Sequence, residues 1–198
     1  MARPSRDAEI LAGALAVFAE RGYDGTRVRD IAQRAGVSEA ALYCHHASKE
    51  DLALALFRTH MRRYAEALDA LASERELAVA DRIRAIALRS LRAFAEERDA
   101  FAFLMTHQSR FIGALPADFP FPIRIVERLV REGQRDGSIR PGPVRLLAAL
   151  VFGCILQPVR TALEAPPGTI DVRSASAREL IADAAWATID ADRAAVTA

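Results

Sequence analysis

The sequence predicts an all-α protein of about nine helices, with a small three-helix head followed by a larger helical domain. Three observations predict it. Alanine, leucine, arginine and glutamate, all good helix formers, dominate the 198 residues. No run alternates apolar and polar residues for long enough to propose a strand. Glycine and proline fall at helix-length intervals, where breaks are needed.

The first helix spans Ser5 to Arg21. Ser5 can cap it, Asp7 and Glu9 suit its positive end, and Gly22 can stop it. Ile10, Ala14, Val17 and Phe18 share one face. A second helix fits Arg27 to Ala35 and a third Glu39 to His46, with only Gly36, Val37 and Ser38 between them. Ser48 caps a long fourth helix to Ala72, and Asp51 three residues on completes a capping-box pattern. Further helices fit Ala78 to Arg98, Ala100 to Ile112, Pro122 to Arg135, Pro143 to Glu164 and Ser174 to Ala191. Proline-bearing breaks separate the later ones, including Pro166-Pro167-Gly168. Pro158 lies inside the eighth helix and is expected to kink it or end it near Leu156.

Apolar residues are 52% and charged residues 27%, enough to bury a core in one domain or two small ones and to exclude disorder. The net charge is +1, so any polyanion must be met by a local patch. Lys49 is the only lysine; the other cations are arginines. Cys44 and Cys154 form no disulfide framework, which points to a reducing cytoplasm. The uncharged run Leu146 to Val159 falls short of the ~18 residues that span a bilayer. Arg3 and Arg6 precede an apolar stretch, but Asp7 and Glu9 spoil it as a secretory signal. No membrane partner is expected.

The informative stretch is GYDGTRVRDIAQRAGVSEAALYCHHASKEDL, Gly22 to Leu52. Ile31 and Ala32 point a helix face inward, and Ala35 permits close approach. Gly36 makes the turn, Val37 plugs the corner and Ser38 caps the next helix. Two short helices joined by a three-residue turn containing glycine are a helix-turn-helix, here at about 27–46. In that geometry the second helix enters the major groove of DNA by its N-terminal residues.

These residues resemble the TetR family of transcriptional regulators. The match rests on Gly22-Tyr23, Thr26, Ile31-Ala32, Ala35 to Ser38, Leu42-Tyr43, His45, Ser48 to Glu50 and Leu52. The resemblance implies a homodimeric repressor on double-stranded, palindromic operator DNA. Residues 1–50 would be the DNA-binding domain, and 51–198 would bind a small effector and dimerise. Two positions depart from the pattern. His46 stands where the family usually has phenylalanine, and either packs inward or turns toward phosphate. Arg27 replaces a serine or threonine.

By the same resemblance, Tyr43 and Lys49 meet backbone phosphates, as would Arg27 and Arg29. Ser38, Glu39, Ala40, Ala41 and His45 line the reading face. Ala40 and Ala41 suit thymine methyls and Glu39 suits cytosine N4. Residues 1–50 hold cations and acids in equal number, so binding must rest on placement rather than on bulk charge.

No chemistry competes. Cys44, His45 and His46 are consecutive, point about 100° apart on a helix and cannot converge on one ion, so no metal or other cofactor is expected. No phosphate loop, nucleophile elbow or zinc-protease motif occurs, and no catalytic residue is assigned. Phe94, Phe103, His107 and Phe111 are candidate pocket walls, with Phe152, Gln157 and Trp186 closing from the last two helices. The same aromatics equally suit plain core. The few charges among them favour an apolar or aromatic effector. Leu147, Leu150 and Val151, with Leu180, Ile181, Ala184 and Ala185, either complete the core or meet a partner copy; the resemblance favours a two-fold interface. Rival readings are an activator or ligand-independent regulator of the same fold, and a helical carrier or enzyme with a degenerate head.

Overall fold

The computed structural model describes residues 5–164, 166 and 169–194. Arg3, Pro167 and Gly168 lie outside the described residues. The helices are α1 Arg6–Gly25, α2 Val28–Ala35, α3 Glu39–His45, α4 Lys49–Ala72, α5 Val79–Glu96 and α6 Arg98–Phe111. A 3-10 turn, Ile112–Ala114, leads to α7 Pro122–Asp136, α8 Val144–Glu164, α9 Ala175–Ala187 and α10 Ala191–Ala194. The chain packs as two units, Met1–Met61 with Arg98–Phe119, and Arg62–Glu97 with Pro120–Ala198.

In the first unit α1 packs on α2 and α6. Ile10, Ala14, Val17 and Phe18 are buried, as the periodicity requires. α1 is interrupted at Gly22, whose φ of 70° and ψ of 167° are not helical. A Cβ at Gly13 would stand 3.0 Å from Ala35 Cβ and 3.1 Å from Ala35 N, so a bare α-carbon lets the end of α2 close on α1. Gly36 closes α2 in the left-handed region at φ 66°, a conformation that costs other residues about 1–2 kcal/mol.

In the second unit α5 packs on α7, α8 and α9, and α8 packs on α7 and α9. Ile83, Ile86, Leu91, Leu129, Val130, Ile155 and Ala185 build its core. Arg82 is buried there: its guanidinium donates to Glu132 Oε1 at 2.5 Å, Glu132 Oε2 at 3.2 Å and the Ala72 carbonyl at 3.1 Å.

Of the two outcomes expected at Pro158, an end near Leu156 does not occur: α8 runs on to Glu164. A mid-helix proline costs ~3 kcal/mol or more; full burial of Ile155 and Val159 on either side offsets this, and Thr161 Oγ1 donates to the Gln157 carbonyl at 3.1 Å. The ninth helix ends at Ala187 rather than Ala191. Beyond it the backbone pairs instead with the segment after α7, Arg140 N–H donating to Ile189 O at 2.9 Å and Ala191 N–H to Ser138 O at 3.2 Å.

Candidate nucleic-acid interface

α3 is a short rod whose one fully buried side chain is Leu42. Ser38 Oγ accepts from Ala41 N–H at 3.1 Å and so begins the helix. With Leu42 inward, Ser38, Glu39, Ala40, Tyr43 and His45 are exposed and Ala41 is half-exposed. Tyr43 is 49% exposed, so its ring edge and hydroxyl are open to a partner surface. Arg27 and Arg29 are exposed at the start of α2.

Charge placement sharpens this surface. Arg34 pairs with Glu20 at 2.6 Å and Arg21 with Asp30 at 3.0 Å. Neither Arg27 nor Arg29 carries an ion pair among the described residues. Burial works against the Asp30 carboxylate, yet the Arg27 N–H and the Arg21 and Arg29 charges hold it below the usual carboxylate range. It therefore stays ionised and fixes the start of α2, accepting from Arg27 N–H at 3.3 Å.

Lys49, expected to meet a backbone phosphate, is also engaged within the chain. Its Nζ donates to the Tyr23 carbonyl at 2.9 Å and the Thr26 carbonyl at 3.0 Å. It lies 4.4 Å from the Tyr23 ring centre, as does the Arg110 guanidinium. Thr26 is buried and its Oγ1 donates to the Gly22 carbonyl at 2.6 Å. Lys49 thus ties the start of α4 to the corner between α1 and α2.

His46 turns inward. It is buried, with Nε2 3.0 Å from Asp7 Oδ1 and Nδ1 3.6 Å from Asp51 Oδ2. Asp51 in turn accepts from Ala47 N–H at 3.1 Å, and its own N–H donates to Ser48 Oγ at 3.0 Å. The ring therefore bridges the first turns of α1 and α4 directly behind α3. The signal that could have found it is a first-turn Asp on each of two helices beside a histidine at a core position.

Of the aromatics expected to wall a pocket, Phe103, His107 and Phe111 come together in the first unit. Ring centres are 4.5 Å apart for Phe103–His107 and 6.2 Å for His107–Phe111. Phe18 stacks on Phe103 at 5.5 Å, and Tyr23 lies 5.8 Å from His107. In the second unit Phe94 and Phe152 are buried, Trp186 is half-buried and Gln157 is exposed. A cleft of about 450 Å³ in that unit is lined instead by α4 and α7, including Ala65, Asp69, Phe121, Arg124, Ile125 and Arg128.

The residues expected at a partner interface also divide. Leu147, Val151, Ile181 and Ala185 are taken by the core of the second unit, whereas Leu150, Leu180 and Ala184 are exposed. Leu146 joins these at 56% exposure and Leu180 reaches 70%. By length and composition α8 could cross a membrane; only 33% of its most apolar window is buried within the chain.

Comparison with known proteins gives the same picture. A sequence profile described as bacterial regulatory proteins, tetR family, matches residues 10–56. The HTH-type transcriptional repressor KstR2 of Mycolicibacterium smegmatis is 32% identical over 147 residues, spanning 69% of this chain and 69% of that protein. The fatty acid metabolism regulator protein of Bacillus subtilis is 28% identical over 160 residues, spanning 77% of this chain and 81% of that one. Among solved structures, the transcriptional regulator FadR from Bacillus subtilis in complex with stearoyl-CoA shares the fold. Its TM-score is 0.70 at 19% identity, over 91% of this chain and 96% of that chain.

Proposed function

The chain belongs to the tetR family of bacterial regulatory proteins, and from that premise we propose how this transcriptional repressor works. Two copies present α3 to successive major grooves of a palindromic operator, ~34 Å apart. A small apolar effector binds the second unit and lowers affinity for DNA. The activity is binding rather than a chemical reaction, and its place is the cytoplasm.

The observation that carries this reading is α3 itself. One buried leucine anchors it, and the remaining side chains are small, polar or aromatic and face outward after a left-handed Gly36. Tyr43, Arg27 and Arg29 contact phosphates and set affinity; Ser38, Glu39, Ala40, Ala41 and His45 face base edges and set sequence choice. Lys49 serves the same surface by holding the α1–α2 corner and has a third N–H left for phosphate.

The exposed apolar face of α8 and α9 supports the homodimer. The stearoyl-CoA complex of the similar fold supports an effector with an acyl chain. For the effector to act, its affinity must differ between the DNA-bound and free arrangements.

A gel-shift titration on the DNA upstream of the protein's own gene tests the reading. Wild type should bind selectively with a steep salt dependence. Tyr43→Ala should weaken binding about tenfold on every sequence, Arg29→Ala should lower the salt slope by about one, and Glu39→Gln should change base preference. Unchanged affinity in both Tyr43→Ala and Arg29→Ala would overturn the docking.

A further inference from the structure

In the second unit a terminal guanidinium nitrogen is buried without an acceptor among the described residues. Arg89, on α5, is half-buried, and its Nη1 is sealed from solvent without a hydrogen-bond partner among the described residues. A guanidinium cannot relieve this by losing its proton. Arg82, two turns earlier on the same helix, shares the feature at its Nε, but a carboxylate lies across its two terminal nitrogens and compensates the charge. Arg89 carries no ion pair among the described residues.

Two hydroxyls accompany it. Tyr64 Oη, on α4, donates to Ser90 Oγ at 2.6 Å, and the fully buried Ser90 donates to the Ile86 carbonyl at 2.8 Å. Burial pushes the Tyr64 hydroxyl up to about 12, opposed by the Ser90 hydrogen bond and by the nearby Arg89 charge. The phenol is therefore a neutral donor at physiological pH. These groups interrupt apolar helix faces: Ala65 and Leu68 on α4, and Ile83, Ile86, Ala87 and Leu91 on α5, are all buried. Polar residues at core positions are the sequence signal for such a cluster.

We propose that Arg89 forms the polar end of the effector site, its unpartnered Nη1 taking the acceptor oxygen of an acyl-chain ligand, either a free carboxylate or a thioester carbonyl, with Tyr64 turning its hydroxyl from Ser90 to the same oxygen. An unpaired buried donor is costly to keep and gains most when an oxygen arrives. A charge-assisted bond from Arg89 would fix the head of the chain, and few other polar groups compete to hold it elsewhere. The inference rests on the effector reading above and adds the head group to it.

Calorimetric titration of the protein with palmitate and with palmitoyl-CoA tests both. Wild type binds at least one probe, and the tighter one identifies the source of the oxygen. Arg89→Met and Tyr64→Phe each weaken that probe tenfold or more, Arg89→Lys recovers part of the loss, and DNA affinity without probe is unchanged. Should Arg89→Met fail to fold, Tyr64→Phe, which keeps the ring, carries the test. If the variants bind as tightly as wild type, this inference alone falls. If wild type binds neither probe, the acyl-effector reading falls and takes this inference with it.

Discussion

His46 occupies the position where a purely apolar ring would simply fill space, and it does more than fill space. Its Nε2 meets Asp7 at 3.0 Å, and both Asp7 and Asp51 lie on first turns, where a carboxylate already suits the helix dipole. Packing and polar bridging can be separated. His46→Ala should cost about 2 kcal/mol, from the cavity and the lost bond together. His46→Phe should cost less than about 1 kcal/mol, because half-exposed Asp7 can return to water. Thermal denaturation followed by circular dichroism distinguishes the two; equal losses would show that the ring volume is not what matters. The local features here were legible in the sequence. Ser5, Ser38 and Ser48 cap their helices as expected, accepting from the N–H groups of Ala8, Ala41 and Asp51. The His46–Asp7 contact was not, since residues 39 positions apart meet only through tertiary packing. The same reason hid the engagement of Lys49 with two carbonyls that the break at Gly22 and the turn to Thr26 bring within reach.

At the scale of elements, Arg82 shows how α4, α5 and α7 are held in the second unit. One buried guanidinium on α5 reaches the last carbonyl of α4 and the carboxylate of Glu132 on α7. The Arg82 hydrogen bond, against some burial, holds the Glu132 carboxyl below the usual carboxylate range. A carboxyl depressed in the folded state adds stability above its unfolded value, and that contribution is lost as pH falls through the folded one. Glu132→Gln should therefore cost about 2–3 kcal/mol at pH 7, where Arg82 loses its paired carboxylate. The gap between variant and wild type should narrow steadily from about pH 5 downward. Melting curves at pH 7, 5 and 3.5 measure it; a gap independent of pH would remove Glu132 from the account. The helix pattern that carries these residues was readable from periodicity and from Gly and Pro, nearly to the ends. It failed where tertiary packing outweighs local preference, after Ala187; at Pro158 it left a kink or an end open, and the helix does not end there.

At the scale of the whole molecule, a short reading helix gains from symmetry. Few unpaired cations flank α3, so in the proposed docking one head alone would make few phosphate contacts. Joining two heads turns the second binding event into an intramolecular one. The surface best suited to join them is the apolar face of α8 and α9, where Leu146, Leu150 and Leu180 are 56%, 39% and 70% exposed. The sequence left open whether such leucines belong to the core or to a partner, because helical periodicity cannot tell one apolar neighbour from another. Burial separates them, giving Leu147 and Val151 to the core and leaving Leu150 and Leu180 outside. A Leu150→Glu, Leu180→Glu double variant should leave the fold of each chain within about 0.5 kcal/mol, since both side chains are exposed. In sedimentation experiments it should run as a monomer where wild type runs as a dimer. Its operator affinity should fall about a hundredfold or more, with no change at any DNA-facing residue. A variant that stays dimeric, or that binds operator as tightly as wild type while monomeric, would place the two-fold contact, or the need for it, elsewhere.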